Sequence, residues 1–258
     1  MAYESKATSL TPQLIILLLD VSGSMGLPFG SSTRIAAVTR AVRGMQQQML
    51  NTSTKDVGVS DRYHIALFTY STKSIDVLKG VKTLNEFVKL GTPVLATVEK
   101  TDTALAFQHV EKFLTGLLPT YELNRQYARP APLVCHITDG EYTAADPEPV
   151  ARRIMQMSVK DGPVLVENIF ITDDVLVEPI GNLKEWPGVT AATRLKTPYA
   201  EKLRAMSSPL PLNYLSNMRE HGYRLDPGAV MLFPGHTPEL LRLGMQVTIA
   251  TGMLLGAT

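Results

Sequence analysis

The sequence predicts a three-layer α/β/α sandwich built on a doubly wound, mostly parallel sheet. Three observations carry this expectation: short runs that are apolar throughout, helical patterns between them, and one partly exposed segment that breaks the regularity. The runs are "LIILLL" at 14–19, "YHIALFTY" at 63–70, "PLVCHIT" at 132–138 and "VLVENIFIT" at 164–172. Strands covered on both faces read as continuous apolar segments, which is the mark of a parallel sheet with helices on either side.

Taken in order, the first run ends at Asp20 and is followed by "TRIAAVTRAVRGMQQQML", where Ile35, Val38, Ala41, Val42, Met45 and Met49 fall on one helical face. The run at 63–70 is the second strand. After it, "KSIDVLKGVKTL" reads as a short edge strand with a turn at Gly80. A second helix follows in "TALAFQHVEKFLTGLL", with Leu105, Val110, Phe113, Leu114 and Leu117 expected on its apolar face. The runs at 132–138 and 164–172 supply two more strands, and strand–helix–strand alternation implies right-handed crossovers.

Beyond that the pattern weakens. Val175 to Pro198 holds Pro179, Gly181, Pro187, Gly188 and the sole tryptophan, Trp186, and reads as a long surface loop or lid. A sixth strand is expected near 229–233, and a final helix from Pro238 after the cap-forming Thr237, with "MQVTIATGMLLGAT" as its docked end. The chain is thus expected to form one domain over residues 1–258, with a regular core at 10–175 and a less regular 176–258.

Composition excludes some partners. With 25 basic and 24 acidic residues mixed along 258, the formal charge is +1, so no electrostatic footprint for nucleic acid or an anionic membrane is present. The single cysteine, Cys135, cannot make an internal disulfide and sits as a small apolar residue in a strand. "MAYESKATSLTPQ" lacks the basic start and cleavage site of a signal peptide, and Leu14–Leu19 is too short to span a bilayer. A soluble, cytoplasmic protein in a reducing compartment is the expectation.

The chemistry concentrates behind the first strand, in "DVSGSM". In an extended chain, residues i, i+2 and i+4 project to one side, so Asp20, Ser22 and Ser24 can aim three oxygens at one point while Gly23 lets the chain bend. In open α/β sheets the carboxyl ends of the strands share an edge, and ligands bind there where the strand order reverses. Oxygen-only donors suit a hard cation such as Mg²⁺. Neutral hydroxyls leave such an ion under-neutralised and open to an anionic oxygen from outside. Alone, the stretch reads equally well as a strand-to-helix turn whose serines cap a helix. Two further clusters favour the site: "EKTDTALAF", where Thr101 and Thr103 precede a helix, and "HITDGEY", where Asp139 ends an apolar strand before Gly140.

D-x-S-x-S, then a threonine, then an aspartate: in this order and setting the sequence resembles the von Willebrand factor A (vWA) domains and their metal ion-dependent adhesion site, over roughly residues 10–175. The resemblance implies a mostly parallel sheet with one short antiparallel edge strand. It also implies a metal held by Asp20, Ser22, Ser24, Thr101 and Asp139, the serines and threonine directly and the aspartates partly through water, with the last ligand supplied by a partner's glutamate or aspartate. Mg²⁺ is the implied ion, with Mn²⁺ and Ca²⁺ as the other candidates. Thr103 lies two residues beyond Thr101 and is the alternative second-loop ligand. One departure stands out: many relatives carry a glycine pair before the threonine, where this chain has Glu99 and Lys100. Glu141 and Asp102 read as solvated loop acids, and Asp173 and Asp174 as rim residues of a neighbouring strand.

Enzymatic readings compete poorly. A Mg²⁺-dependent phosphotransferase or hydrolase with Asp20 at the metal is the alternative, but aspartate-nucleophile enzymes resembling the haloacid dehalogenases need a second acid where Ser22 stands. There is no G-x-S-x-G elbow and no phosphate loop, and the histidines His64, His109, His136, His221 and His236 lack paired ligand spacing. The expected function is a non-enzymatic, cation-dependent module that binds an acidic residue of a protein partner. By resemblance to stand-alone bacterial members, that partner would be an ATPase, kinase or phosphatase of one signalling, stress or defence system. Asp20→Ala is expected to leave the fold intact, because a strand-end carboxylate should lie outside the core.

Overall fold

A computed structural model describes residues 3–55, 58–98, 100–122, 127–140, 142 and 144–250. The apolar runs become strands of one seven-stranded sheet: β1 (Gln13–Asp20), β2 (Tyr63–Tyr70), β3 (Ser74–Asp76), β4 (Lys82–Thr83), β5 (Leu133–Thr138), β6 (Leu165–Phe170) and β7 (Leu232–Pro234). Their order is β7-β6-β5-β1-β2-β3, with β4 also on β2. All pairings from β7 to β2 are parallel, whereas β3 and β4 run antiparallel to β2 around the expected turn at Gly80. This is the sheet that the resemblance implies.

Helices α1 (Arg34–Ser53), α2 (Leu84–Leu90), α3 (Thr103–Tyr121), α4 (Glu148–Gln156), α5 (Pro198–Ala205), α6 (Leu212–Glu220) and α7 (Pro238–Thr248) join the strands. α1 packs beside α2 and α7, and α3 beside α4, which in turn meets α5. The sheet is therefore sandwiched in three layers. β1 lies at its centre with every residue buried, as a strand apolar on both faces must be.

Several expectations need correction. On α3 Val110 and Leu114 are buried as expected and Phe113 and Leu117 are partly buried against the core, but Leu105 is exposed, and Ala106 and Phe107 complete the buried face. The sixth strand pairs with β6 only at 232–234, while Val230, within the expected range, forms isolated bridges to Val189 and Pro209 instead. α5 and α6 were not foreseen; Pro198 and Leu212 start them behind Thr197 and Pro211 in a proline-rich stretch that reads as loop. The segment 171–197 is coil but not a lid, for Val175, Trp186 and Val189 are buried, and Trp186 packs edge-on against Phe233 of β7. α7 starts at Pro238 with Thr237 accepting from the Leu240 N–H, as expected, while residues 251–258 lie outside the described ones.

Candidate metal centre

β1 pairs with β2 on one side and β5 on the other, so the strand order turns back between β1 and β5. The carboxyl ends of these strands deliver Asp20 and Asp139 to neighbouring loops, at the crevice where this architecture places ligands. Asp20 stands opposite Tyr70 in the β1–β2 register, and Leu19 opposite Ile137 brings Thr138 beside it on the other side. Its Oδ1 accepts the Ser22 N–H (2.8 Å) and its Oδ2 the Thr138 hydroxyl (2.8 Å). Asp20 is fully buried, which corrects the expectation that its carboxylate stands clear of the core. Removing it would orphan both donors.

Ser22 is buried and precedes a short 3₁₀ turn, Gly23–Gly26, which folds the chain back so that the Ser22 and Ser24 hydroxyls lie 3.1 Å apart. Ser24 is only partly buried, which puts it on the open side of the cluster. The second loop is tied to the first by a bridge between Ser22 and Val98, whose N–H donates to the Val21 carbonyl (2.7 Å). Further on, the Asp102 N–H donates to the Ser71 carbonyl (2.8 Å) behind β2. Thr101 is held between these two anchors and is buried. Thr103, also buried, is the first residue of α3, and Asp102 caps that helix by accepting the Leu105 N–H (2.9 Å), so this loop acid has a structural task.

Lys100 adopts φ +68°, the left-handed conformation that glycine takes without strain. The family's glycine before the threonine therefore has a backbone reason, and this chain meets the same demand with a lysine. Glu99 and Glu141 lie outside the described residues. Asp173 and Asp174 are exposed beyond β6, and Asp174 pairs with Lys196 at 3.7 Å.

The third-loop acid, Asp139, is buried, and its Oδ2 accepts from Arg34 Nη1 at 2.9 Å. Its Oδ1 is buried and has no hydrogen-bond partner among the described residues. Gly140 follows at φ +89° with the Phe170 ring so close that no side chain fits. Burial, reinforced by the negative charge of Asp139, pushes the Asp20 pKa up to about 6. Among the described residues the side chains that meet these two carboxylates include the hydroxyls of Thr138 and Tyr70 and the Arg34 guanidinium. The donor set fits a hard cation: a desolvated acid, an orphaned carboxylate oxygen and paired hydroxyls are groups that a divalent ion would satisfy. Among the described residues no three of His, Cys, Asp and Glu converge, so any ion here would depend on hydroxyl ligands.

Sequence reading missed the support behind Asp20. Tyr70 Oη lies 3.3 Å from Asp20 Oδ2 and 2.7 Å from His136 Nε2, and His136 Nδ1 lies 2.7 Å from Asn168 Oδ1. Asn168 Nδ2 donates to the Met206 carbonyl (3.1 Å) and the Ser207 hydroxyl (2.9 Å), which fixes the amide orientation. Nδ1 of His136 therefore carries the proton, and burial, pushing its pKa down to about 4, keeps the ring neutral. Nε2 must then accept from Tyr70. The only local hint was polar residues inside apolar strands. Arg34 gave no hint at all, being 105 positions from its partner.

No family model matches the chain, and no curated protein does. Solved structures do. The pilus adhesin SpaC from Lactobacillus rhamnosus GG aligns at TM-score 0.55 and 11% identity, over 96% of this chain and 31% of that one. A mutant of the PilB minor pilin from Streptococcus sanguinis aligns at 0.54 and 10%, over 93% and 62%. The likeness is one of fold. This chain spans less than two thirds of either protein. The SpRpn10 VWA domain also aligns, at TM-score 0.48 and 12% identity, over 95% of this chain and 100% of that one.

Proposed function

We propose that the Asp20–Ser22–Ser24–Thr101–Asp139 cluster is a divalent-cation site through which the protein captures a glutamate or aspartate on a protein partner, and that it acts by binding and not by catalysis. One observation supports this reading: two buried carboxylates stand at the carboxyl ends of the adjacent strands β1 and β5, at the switch point of the sheet, and one of them keeps a buried oxygen with no hydrogen-bond partner among the described residues. A cation relieves both defects. The ion when bound would supply a Lewis-acidic position for an external carboxylate, because serine and threonine hydroxyls bring no charge of their own. The chain's residues do the rest: Thr138 and the Ser22 N–H orient Asp20, and the Ser22–Val98 bridge holds the second loop against the first. Mg²⁺ is the proposed ion. The proposed partner is an ATPase, kinase or phosphatase in the cytoplasm, and this context rests on the motif resemblance alone. Among the described residues no helix is long and apolar enough to cross a membrane.

The test is a calorimetric titration of the chain with Mg²⁺ and Mn²⁺, beside the isosteric Asp20→Asn, which keeps the Ser22 contact but removes the charge. Saturable binding to the wild type that the variant loses supports the reading. Equal heats for both, or melting curves that superimpose in chelator and in excess Mg²⁺, refute it. Steady hydrolysis of a phosphate ester, abolished in Asp20→Asn, would replace binding with catalysis.

A further inference from the structure

We infer that Arg34 is a built-in placeholder cation: its guanidinium neutralises Asp139 while the site is metal-free, and an arriving divalent ion must take that carboxylate from it. The inference rests on the proposed metal site and adds how access to it is regulated.

Arg34 is the first residue of α1, and its position is fixed by the backbone. Thr33 caps the helix by accepting the Ala36 N–H (3.3 Å), and the Arg34 N–H donates to the Leu27 carbonyl (3.0 Å) beyond the short hairpin Pro28–Phe29/Ser32–Thr33. From there the side chain reaches Asp139, whose side chain is 1% exposed against 20% for Arg34. The cation therefore comes in from the rim to a buried acid. Among the described residues only Oδ2 is bound, and Oδ1 stays buried with no partner. A guanidinium supplying one of two needed contacts satisfies the acid incompletely, which is how a replaceable partner should sit.

The charges decide the consequence. Asp20 and Asp139 together bring two negative charges, and burial makes both hard to solvate. Arg34 cancels one. A divalent ion cancels both, but with the guanidinium in contact with Asp139 it would sit within a few ångströms of a like charge at low effective dielectric. Either Arg34 withdraws or the ion binds weakly. Metal affinity is thereby set below what five oxygen ligands would otherwise give, and metal capture is coupled to the N-terminus of α1 and the adjoining hairpin.

The experiment is Mn²⁺ titration calorimetry on the full chain, comparing wild type, Arg34→Gln and Arg34→Lys, with melting curves in chelator and in excess Mn²⁺. Arg34→Gln is expected to bind Mn²⁺ at least tenfold more tightly. It should melt lower than wild type in chelator and gain more from the metal, while Arg34→Lys, which keeps the charge, should stay near wild type. Binding seen only in Arg34→Gln is the extreme form of the same result. Equal or weaker binding by Arg34→Gln overturns the inference and leaves the metal site standing. Absence of binding in all three chains overturns the metal site and the inference with it. Should Arg34→Gln fail to fold, the wild type still answers: with ¹⁵N-arginine, Mg²⁺ should speed water exchange of the Arg34 guanidinium protons, and protons unmoved at saturating Mg²⁺ overturn the inference.

Discussion

Glu167 sits in the middle of β6, fully buried on the sheet face opposite Asn168, where α7 covers it. Its Oε2 accepts the Thr248 hydroxyl (2.7 Å), and the Cys135 thiol lies beside the carboxyl, while among the described residues Oε1 has no hydrogen-bond partner of ordinary geometry. Burial pushes its pKa from 4.5 up to about 8, so at neutral pH the group is a protonated acid inside an apolar layer. The folded state thus holds the proton more tightly than the unfolded chain, and the associated stability is fully present below pH 4.5 and lost as pH rises towards 8. At about 1.4 kcal/mol per pH unit, this group makes folding roughly 3 kcal/mol less favourable at pH 7 than at pH 4. Glu167→Gln removes the titration and keeps an acceptor for Thr248. Urea unfolding of both chains between pH 5 and 8 isolates the effect, since every other group cancels in the difference. The advantage of Glu167→Gln should grow with pH, reaching on the order of 3 kcal/mol at pH 7. A difference that stays flat across this range refutes the assignment of a buried neutral carboxyl.

Two backbone predictions bear on the site itself. Gly140→Ala would place a methyl group 2.2 Å from Phe170 Cε2 at φ +89°, so it should cost about 3 kcal/mol or more in urea unfolding; a loss below about 1 kcal/mol would mean the Phe170 ring yields freely. Lys100→Gly should be neutral or stabilising, by up to about 1 kcal/mol, in place of the similar loss glycine usually brings, because it relieves a left-handed lysine at φ +68°. An ordinary loss would show that the left-handed conformation is not strained.

What the sequence made legible follows from burial. β1, β2, β5 and β6 were readable to within about two residues because a strand covered on both faces must be apolar throughout, and little else produces such runs. β7 starts three residues later and ends one residue later than expected, because its pairing with β6 is only three residues long and carries little pattern. α5 begins at Pro198 and α6 directly behind Pro211, and such prolines read as loop from the sequence alone. At the candidate site the strand-end acids announced themselves by ending apolar runs, and a serine or threonine two or more residues from them is a local feature. The Arg34–Asp139 contact and the Asn168–His136–Tyr70 chain join residues between 32 and 105 positions apart, and no local rule reaches that far.

That polar chain explains why the carboxylates stand as they do. Asp20, Tyr70, Thr138, His136 and Asn168 share one face of the sheet, since the registers align Asp20 with Tyr70, Leu18 with His136, and His136 with Asn168. Buried polar groups are tolerated when each donor meets an acceptor. Followed from Ser207 inward, each does: Asn168 donates to the Ser207 hydroxyl and accepts from His136, and His136 accepts from Tyr70. There the sequence of donors ends. Tyr70 has spent its one proton on His136, at 2.7 Å against 3.3 Å to Asp20, so Asp20 Oδ2 keeps only the Thr138 hydroxyl. The carboxylate is held firmly in place by neighbours that leave its charge largely uncompensated, which agrees with its pKa being raised by burial. Rigid placement and missing charge together mark this end of the face, and they call for a positive group from outside the network. Arg34 answers for Asp139 alone. For Asp20 the described residues supply no ion pair, so a cation arriving from solvent has a fixed oxygen waiting for it and no side chain to displace there.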